Sequence, residues 1–236
     1  MRLTELFEAV TVTVNRELNP RLWQGGELDA EVKEHLVKIA AHFEQFVGID
    51  LPVKDLTITG SNANYTWTAH SDLDLHLIVP GTPSEEQREL YSAKKALWSE
   101  QHDIMIRGME VECYIQGEAE PHHSTGVYSL ENDQWVIEPK KVKPQIDDNA
   151  VEAKEQDLIN LIVMALENSQ LDQLTRVKDK LTKMRKAGLE RAGEWSTENL
   201  VFKSLRNQGV IDRLTERIRE LEDRELSLEN QNNISR

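Results

Sequence analysis

The chain has 236 residues, 39% of them hydrophobic, with 42 acidic against 28 basic side chains and a formal charge of −14. That balance excludes a wholly disordered chain, and it excludes a protein that coats DNA by general phosphate neutralisation, which needs a broad basic surface. The lone Cys113 excludes a disulfide-stapled scaffold and a cysteine-built zinc site, and no window approaches the roughly 20 consecutive apolar residues of a membrane span.

Leu3, Leu6, Phe7, Val10 and Val14 recur at helical spacing, although Glu5 and Glu8 break any signal-peptide core, so a cytoplasmic protein is expected. Val32, Leu36, Ile39, Ala40, Phe43 and Phe46 predict a second amphipathic helix. Leu56-Thr57-Ile58-Thr59 alternates as a strand ending at Gly60, and Leu73 to Val79 reads as a second strand stopped by Pro80-Gly81. Ser84 and Gln87 form a capping-box signature for a helix running to about His102, and Met109 to Ile115 alternates as a third strand. Shorter strands are expected over Gly126 to Leu130 and Gln134 to Ile137.

The polar, proline-containing stretch from Pro139 through Lys143 and Pro144 to Asn149 reads as a linker. Residues 1–150 carry 13 basic and 26 acidic side chains against 15 and 16 in the remainder. Domains are therefore expected over 1–145 and 146–236. Beyond the linker Leu158, Ile159, Ile162, Val163 and Leu166, then Leu174, Val177, Leu181 and Met184, keep a helical rhythm without strand-like alternation. A last helix is expected over Ile211 to Leu228 with Leu214, Ile218, Leu221 and Leu228 as its apolar stripe, before residues 230–236 fray. The fold class is α+β: a mixed sheet with helices, followed by a helical domain.

The chemistry concentrates between residues 60 and 76. A strand ends at Gly60-Ser61, a short helix or turn follows, and the next strand opens with Asp72 and Asp74, which the two-residue period of a strand puts on one face. Two carboxylates so close repel unless a cation lies between them, and hard oxygen ligands suit Mg²⁺ or Mn²⁺. Glu110 and Glu112 repeat the arrangement on the third strand. Were that strand to lie beside the second, three carboxylates would suffice for two cations roughly 4 Å apart, the clamp used in phosphoryl and nucleotidyl transfer. The Gly60-Ser61 turn adds a phosphate cradle, because glycine admits close backbone approach and the amides of a following helix N-terminus favour an anion.

These residues resemble the DNA polymerase beta-like nucleotidyltransferase superfamily. Its signature is a hydrophobic strand, Gly-Ser, a spacer of about ten residues, Asp-x-Asp and a later acidic strand, here Gly60-Ser61, Asp72-Leu73-Asp74 and Val111-Glu112-Cys113. The resemblance covers about residues 50 to 116. It implies a nucleotidyltransferase-type mixed sheet followed by a helical domain that closes over the nucleotide. It further implies that Ser61 and nearby amides hold the terminal phosphates of an NTP, that Asp72 and Asp74 bind both metal ions, and that Glu112 completes the site and helps deprotonate an acceptor hydroxyl, with Glu110 in reserve. The acceptor is left open among an RNA or tRNA end, a small molecule and a protein, and cyclic-nucleotide synthesis belongs to the same superfamily. A non-catalytic nucleotide-binding or assembly module is the alternative.

The spacer departs from that pattern in lacking the Arg or Lys that many members place after Gly-Ser; Asn62, Asn64 and Tyr65 stand there instead. Asn64 and His76, which shares the face of the aspartates, are candidate nucleotide contacts. Phosphate charge is then expected to be met from the helical half. Residues 173–191 carry seven basic against two acidic side chains, Lys180 among them, and Lys203 and Arg206 lie one turn apart. Tyr65, Trp67 and Tyr128 are open to base stacking or to core packing. His70, His76, His122 and His123 make a zinc site conceivable, but hydrogen bonding is the plainer use of histidines at a strand end.

Overall fold

The structure is a computed structural model describing residues 14–69, 71–122, 124–141 and 146–228. It contains two compact units, one ending at the linker and one of helices beyond it. The opening helix expected over Met1 to Val14 lies, but for Val14, outside the described residues, as do His70, His123, Lys143, Pro144 and residues 230–236.

The first unit opens with a small hairpin absent from the sequence expectations, β1 (Trp23–Gln24) and β2 (Glu27–Leu28), turned by Gly25-Gly26. Helix α1 (Ala30–Val47) starts where the Asp29 carboxylate accepts the Glu31 and Val32 amides. Its Val32, Leu36, Ala40, Phe43 and Val47 are buried, a stripe at i, i+3 and i+4 spacing. Then follow β3 (Asp55–Thr59), β4 (Leu73–Val79), α2 (Glu85–Gln101), β5 (Met105–Ile106), β6 (Met109–Gly117), β7 (Val127–Ser129) and β8 (Gln134–Ile137). The expected capping box of α2 is present, Ser84 and Gln87 each bonding the other's backbone.

Six strands form one mixed sheet in the order β5-β6-β4-β3-β7-β8. Strands β4 and β6 are parallel, and the other pairs are antiparallel. A parallel pair needs a crossover, and α2 supplies it between β4 and β6. Alternation splits the sheet into two chemically opposite faces. Ile58, Leu73, Leu75, Leu77, Met109, Val111 and Cys113 enter the core with Leu36, Phe43, Tyr91 and Trp98 from the two helices. Thr57, Thr59, Asp74, His76, Glu110, Glu112 and Tyr114 take the other face. Cys113 is fully buried, and desolvation pushes its thiol up to about 12, so it is packing material rather than a nucleophile.

The second unit holds α3 (Asp148–Asn168), α4 (Leu171–Ala192), α5 (Thr197–Asn207) and α6 (Val210–Leu226). Leu158, Ile162, Leu174, Leu181, Val201, Leu205, Leu214 and Ile218 make its core. The apolar stripe of α6 ends sooner than expected: Leu228 lies beyond the helix and is 78% exposed. No described helix is long and apolar enough to cross a membrane.

Across this unit Glu198 on α5 receives Lys154 from α3 and Arg191 from α4, each at 2.6 Å. Lys154 foremost, with Arg191, lowers its carboxyl to about 2 from the ordinary 4.5. A carboxyl more acidic when folded stabilises fully above its unfolded pKa, and the contribution is lost as pH falls through the folded one. Denaturant unfolding followed by circular dichroism between about pH 5 and about pH 2 will therefore show wild type losing more stability than Glu198→Gln, whose contribution does not titrate.

Candidate functional site

Strand register brings the predicted acids together. Asp74 on β4 is directly beside Glu112 on β6, and Thr59 on β3 flanks Asp74 from the other side. Asp72 immediately precedes β4, and Glu110 lies two residues before Glu112. The proximity is felt electrostatically: burial first, then the charges of Asp72 and Glu112, raises the Glu110 carboxyl above its ordinary range. Glu110 itself pairs with Met105 of β5 at the sheet edge and is exposed, whereas Glu112 is the acid in line with Asp74.

Gly60 is where the turn meets the acids. Its φ is 72°, and a Cβ on it would lie 1.9 Å from Asp74 Oδ2, so the Asp74 carboxylate occupies the space a side chain would need. The following segment is a single 3-10 turn, Ser61–Ala63. So short a piece carries little aligned dipole, and the anion preference expected of a helix N-terminus is reduced to that of local amides. The Gly60 amide donates to Ser124 Oγ at 3.1 Å, and Ser61 Oγ donates to Ser71 Oγ at 2.9 Å.

The asparagines of the turn hold its shape. Asn62 is fully buried. Its Nδ2 donates to the Asp72 carbonyl at 2.8 Å, its Oδ1 accepts Asn19 Nδ2 at 2.7 Å, and its carbonyl accepts the Trp23 indole at 2.8 Å. Asn62 thus ties the turn to the start of β4 and to the β1 hairpin. Asn64, expected to face a nucleotide, is buried, donates to the Gly60 carbonyl at 3.1 Å and accepts the Thr66 amide at 2.6 Å. Polar side chains that replace backbone partners in this way fix a loop that has no ladder to hold it.

His76 follows Asp74 on the same face. Its Nδ1 faces Gln116 Oε1 at 2.7 Å and its Nε2 faces Thr59 Oγ1 at 3.1 Å; the amide oxygen accepts, so Nδ1 carries the proton and Nε2 accepts the hydroxyl. Its ring stacks on Tyr114, centroids 4.7 Å apart. Burial, above all, lowers its pKa to about 4, so it is neutral near pH 7 and works as a wall of the acidic face.

The sequence reading missed Lys95. It sits on α2 between the buried Tyr91 and Trp98, and its ammonium reaches Glu112 Oε2 at 2.6 Å. A long amine flanking the buried stripe of a crossover helix was the available signal, since such a side chain reaches the edge of the strand the helix serves. Tyr114, whose hydroxyl donates to the same oxygen at 2.5 Å, was readable from the alternation of β6. Tyr128 belongs to the core, 5.0 Å from Trp23 and 5.1 Å from Trp135 between ring centroids. Tyr65 carries Lys141 4.9 Å above its ring.

Lys180, Lys203 and Arg206 belong to the helical unit. Lys180 lies on α4 in a depression of about 520 Å³ with Arg176, Asp179, Lys183 and Met184. Lys203 and Arg206 are half-buried on α5. Among the described residues no three His, Cys, Asp or Glu side chains, Asp72, Asp74 and Glu112 included, are arranged to hold a metal ion. What fits a hard divalent cation is the donor chemistry: Asp72, Asp74 and Glu112 supply carboxylate oxygens, the last two from neighbouring strands.

No family model matches the chain, and no curated protein matches it either. Among solved structures, one similar chain is a STING-associated CdnE c-di-GMP synthase from Capnocytophaga granulosa. The match covers 83% of this chain and 82% of that one, at 11% identity and a TM-score of 0.22, which is too slight to bear on fold or function.

Two substitutions test the geometry. Gly60→Ala forces the Asp74 carboxylate away and strains a positive φ, and urea titration is expected to show a loss of about 2 kcal/mol or more. Asn62→Ala removes the side-chain partners of the Asp72 carbonyl and of Asn19, while the Trp23 bond to the residue-62 backbone carbonyl stays, and is expected to cost about 2–4 kcal/mol in the same measurement.

Proposed function

We propose that the protein is a Mg²⁺- or Mn²⁺-dependent nucleotidyltransferase, which moves a nucleoside monophosphate from an NTP to an acceptor hydroxyl. The observation that carries the reading is the side-by-side register of Asp74 and Glu112, with Asp74 seated against the Gly60 turn. The spacing of Gly60-Ser61 and Asp72-Leu73-Asp74 supports it from the sequence.

Asp72, Asp74 and Glu112 would hold the divalent ions. Bound there, such ions supply charge neutralisation for the phosphates and acidify the acceptor hydroxyl. The acceptor oxygen forms a bond to the α-phosphorus while the bond to the bridging oxygen breaks, and pyrophosphate leaves. Glu112 takes the acceptor's proton, and the Ser61 hydroxyl and the amides of its turn receive the terminal phosphates. The buried asparagine network keeps that turn fixed relative to Asp72 and Asp74, so the contribution of the protein is positioning and electrostatics rather than covalent chemistry. Lys180, Lys203 and Arg206 are the proposed cationic contacts to phosphate or to a nucleic-acid acceptor, whose class is an RNA or tRNA end, a small molecule or a protein. The domains proposed are residues 1–145 for catalysis and 146–236 for the helical part, in a cytoplasmic protein.

One observation favours the alternative of a non-catalytic nucleotide-binding module: Glu112 already has a cationic partner in Lys95. Incubation with each α-phosphate-radiolabelled NTP, Mg²⁺ or Mn²⁺, and RNA, protein extract, small-molecule extract or no acceptor separates the two. Transfer to one acceptor class is expected, reduced at least about a thousandfold in Asp72→Ala/Asp74→Ala. NTP binding without transfer in wild type under every condition would favour the module. Mg²⁺ is also expected to raise the melting temperature of wild type and not of Asp74→Ala, because the ion relieves repulsion only where the carboxylates can hold it; equal shifts in the two would count against the cation site.

A further inference from the structure

The acidic face includes a charge that the proposed reaction does not use. Lys95 Nζ lies 2.6 Å from Glu112 Oε2 and 3.5 Å from the centroid of the Tyr114 ring. The Tyr114 hydroxyl donates to that same Oε2. A carboxylate oxygen has two lone pairs, and here an ammonium and a phenol take both. The Lys95 and Glu112 side chains are only 26% and 25% exposed, so water screens their attraction less than it does on an open surface. The ring adds a cation–π contact that holds the ammonium over Glu112 rather than merely near it.

We propose that Lys95 is a built-in cation at the third carboxylate, which competes with a divalent ion for Glu112 and holds its Oε2 in the ion-free protein. The inference rests on reading Asp72, Asp74 and Glu112 as a cation site. Without an ion, the acids on the ends of β4 and β6 repel one another, and the ammonium offsets that repulsion. When a divalent ion arrives, the same ammonium opposes it twice, by occupying Oε2 and by like-charge repulsion. Because α2 packs its Tyr91 and Trp98 into the core, the lysine stem is tethered and returns when the ion leaves. Lys95 is thus a positioning residue: it holds Glu112 in place in the ion-free protein and sets how readily a divalent ion gains the third ligand.

The test is Mn²⁺ binding to the full chain, read from the electron paramagnetic resonance signal of free Mn²⁺, with folding of each variant checked by circular dichroism. Lys95→Met is expected to bind Mn²⁺ about tenfold or more tightly than wild type, since a full competing charge is removed. Lys95→Arg, which keeps the charge, is expected to stay near wild type. The Mn²⁺-induced rise in melting temperature is expected to be larger in Lys95→Met than in wild type, and Asp74→Asn is expected to abolish binding in either background. Tyr114→Phe, which loosens the clasp without removing the lysine, is expected to tighten binding by less, and it decides the matter if Lys95→Met does not fold. Unchanged or weaker binding in the lysine and tyrosine variants, with Asp74→Asn still abolishing binding, would overturn the role of Lys95 and leave the cation site standing. Absence of Mn²⁺ binding in wild type and Lys95→Met alike would overturn both.

Discussion

The parallel pairing of β4 with β6 is the constraint from which the acidic face follows. A parallel pair can form only if the chain crosses over the sheet, and α2 does so with Tyr91 and Trp98 turned into the core. The register then aligns Leu73 with Val111, Asp74 with Glu112 and Leu75 with Cys113. Apolar side chains are matched on one face, and charged or hydrogen-bonding ones on the other. A slip of one residue would bury carboxylates among Leu36 and Phe43, at the cost of desolvating charge in an apolar core. The same hydrophobic match that stabilises the sheet therefore forces like charges together.

Crowded charge has to be met locally, and the fold does this in two ways. Lys95 comes from the crossover helix to Glu112. Beside Asp72 and Asp74 neutral groups contribute as well: Gly60 yields space to the Asp74 carboxylate, and Asn62 anchors the Asp72 carbonyl. His76, kept neutral by burial, extends the same logic down the strand, adding hydrogen bonds and a stacked ring without adding charge.

The helical unit answers to different physics. Its core is a continuous apolar cluster from four helices, and Glu198 between Lys154 and Arg191 ties three of them together. Of the basic residues of α4, Arg176 is exposed and paired with Asp172, while Arg185 is half-buried over the Phe202 ring. Part of the positive charge counted along the sequence is thus engaged inside the unit.

Much of this was legible in the residues alone, wherever a short-range rule applies. Periodicity set the core faces of α1, β4 and β6, the Ser84-Gln87 pair set the start of α2, and the alternation of Asp72, Asp74 and Glu112 put them opposite the apolar side chains. Features that depend on partners distant in the chain were not legible. Asn62 looked like a missing cation until Asn19 and Trp23 enclosed it. Asn64 looked like a ligand contact until its amide bonded the Gly60 carbonyl. Tyr128 looked equally suited to a base or a core until the β1 hairpin packed Trp23 against it. The amino-acid sequence by itself determined which side chains are apolar, which are acidic and how they alternate, because those follow from period and composition. Only the tertiary structure decided which acid stands in line with Asp74 and which amine answers it, because strand register and the reach of a helix across a sheet edge are set by packing between segments that are not neighbours in the chain.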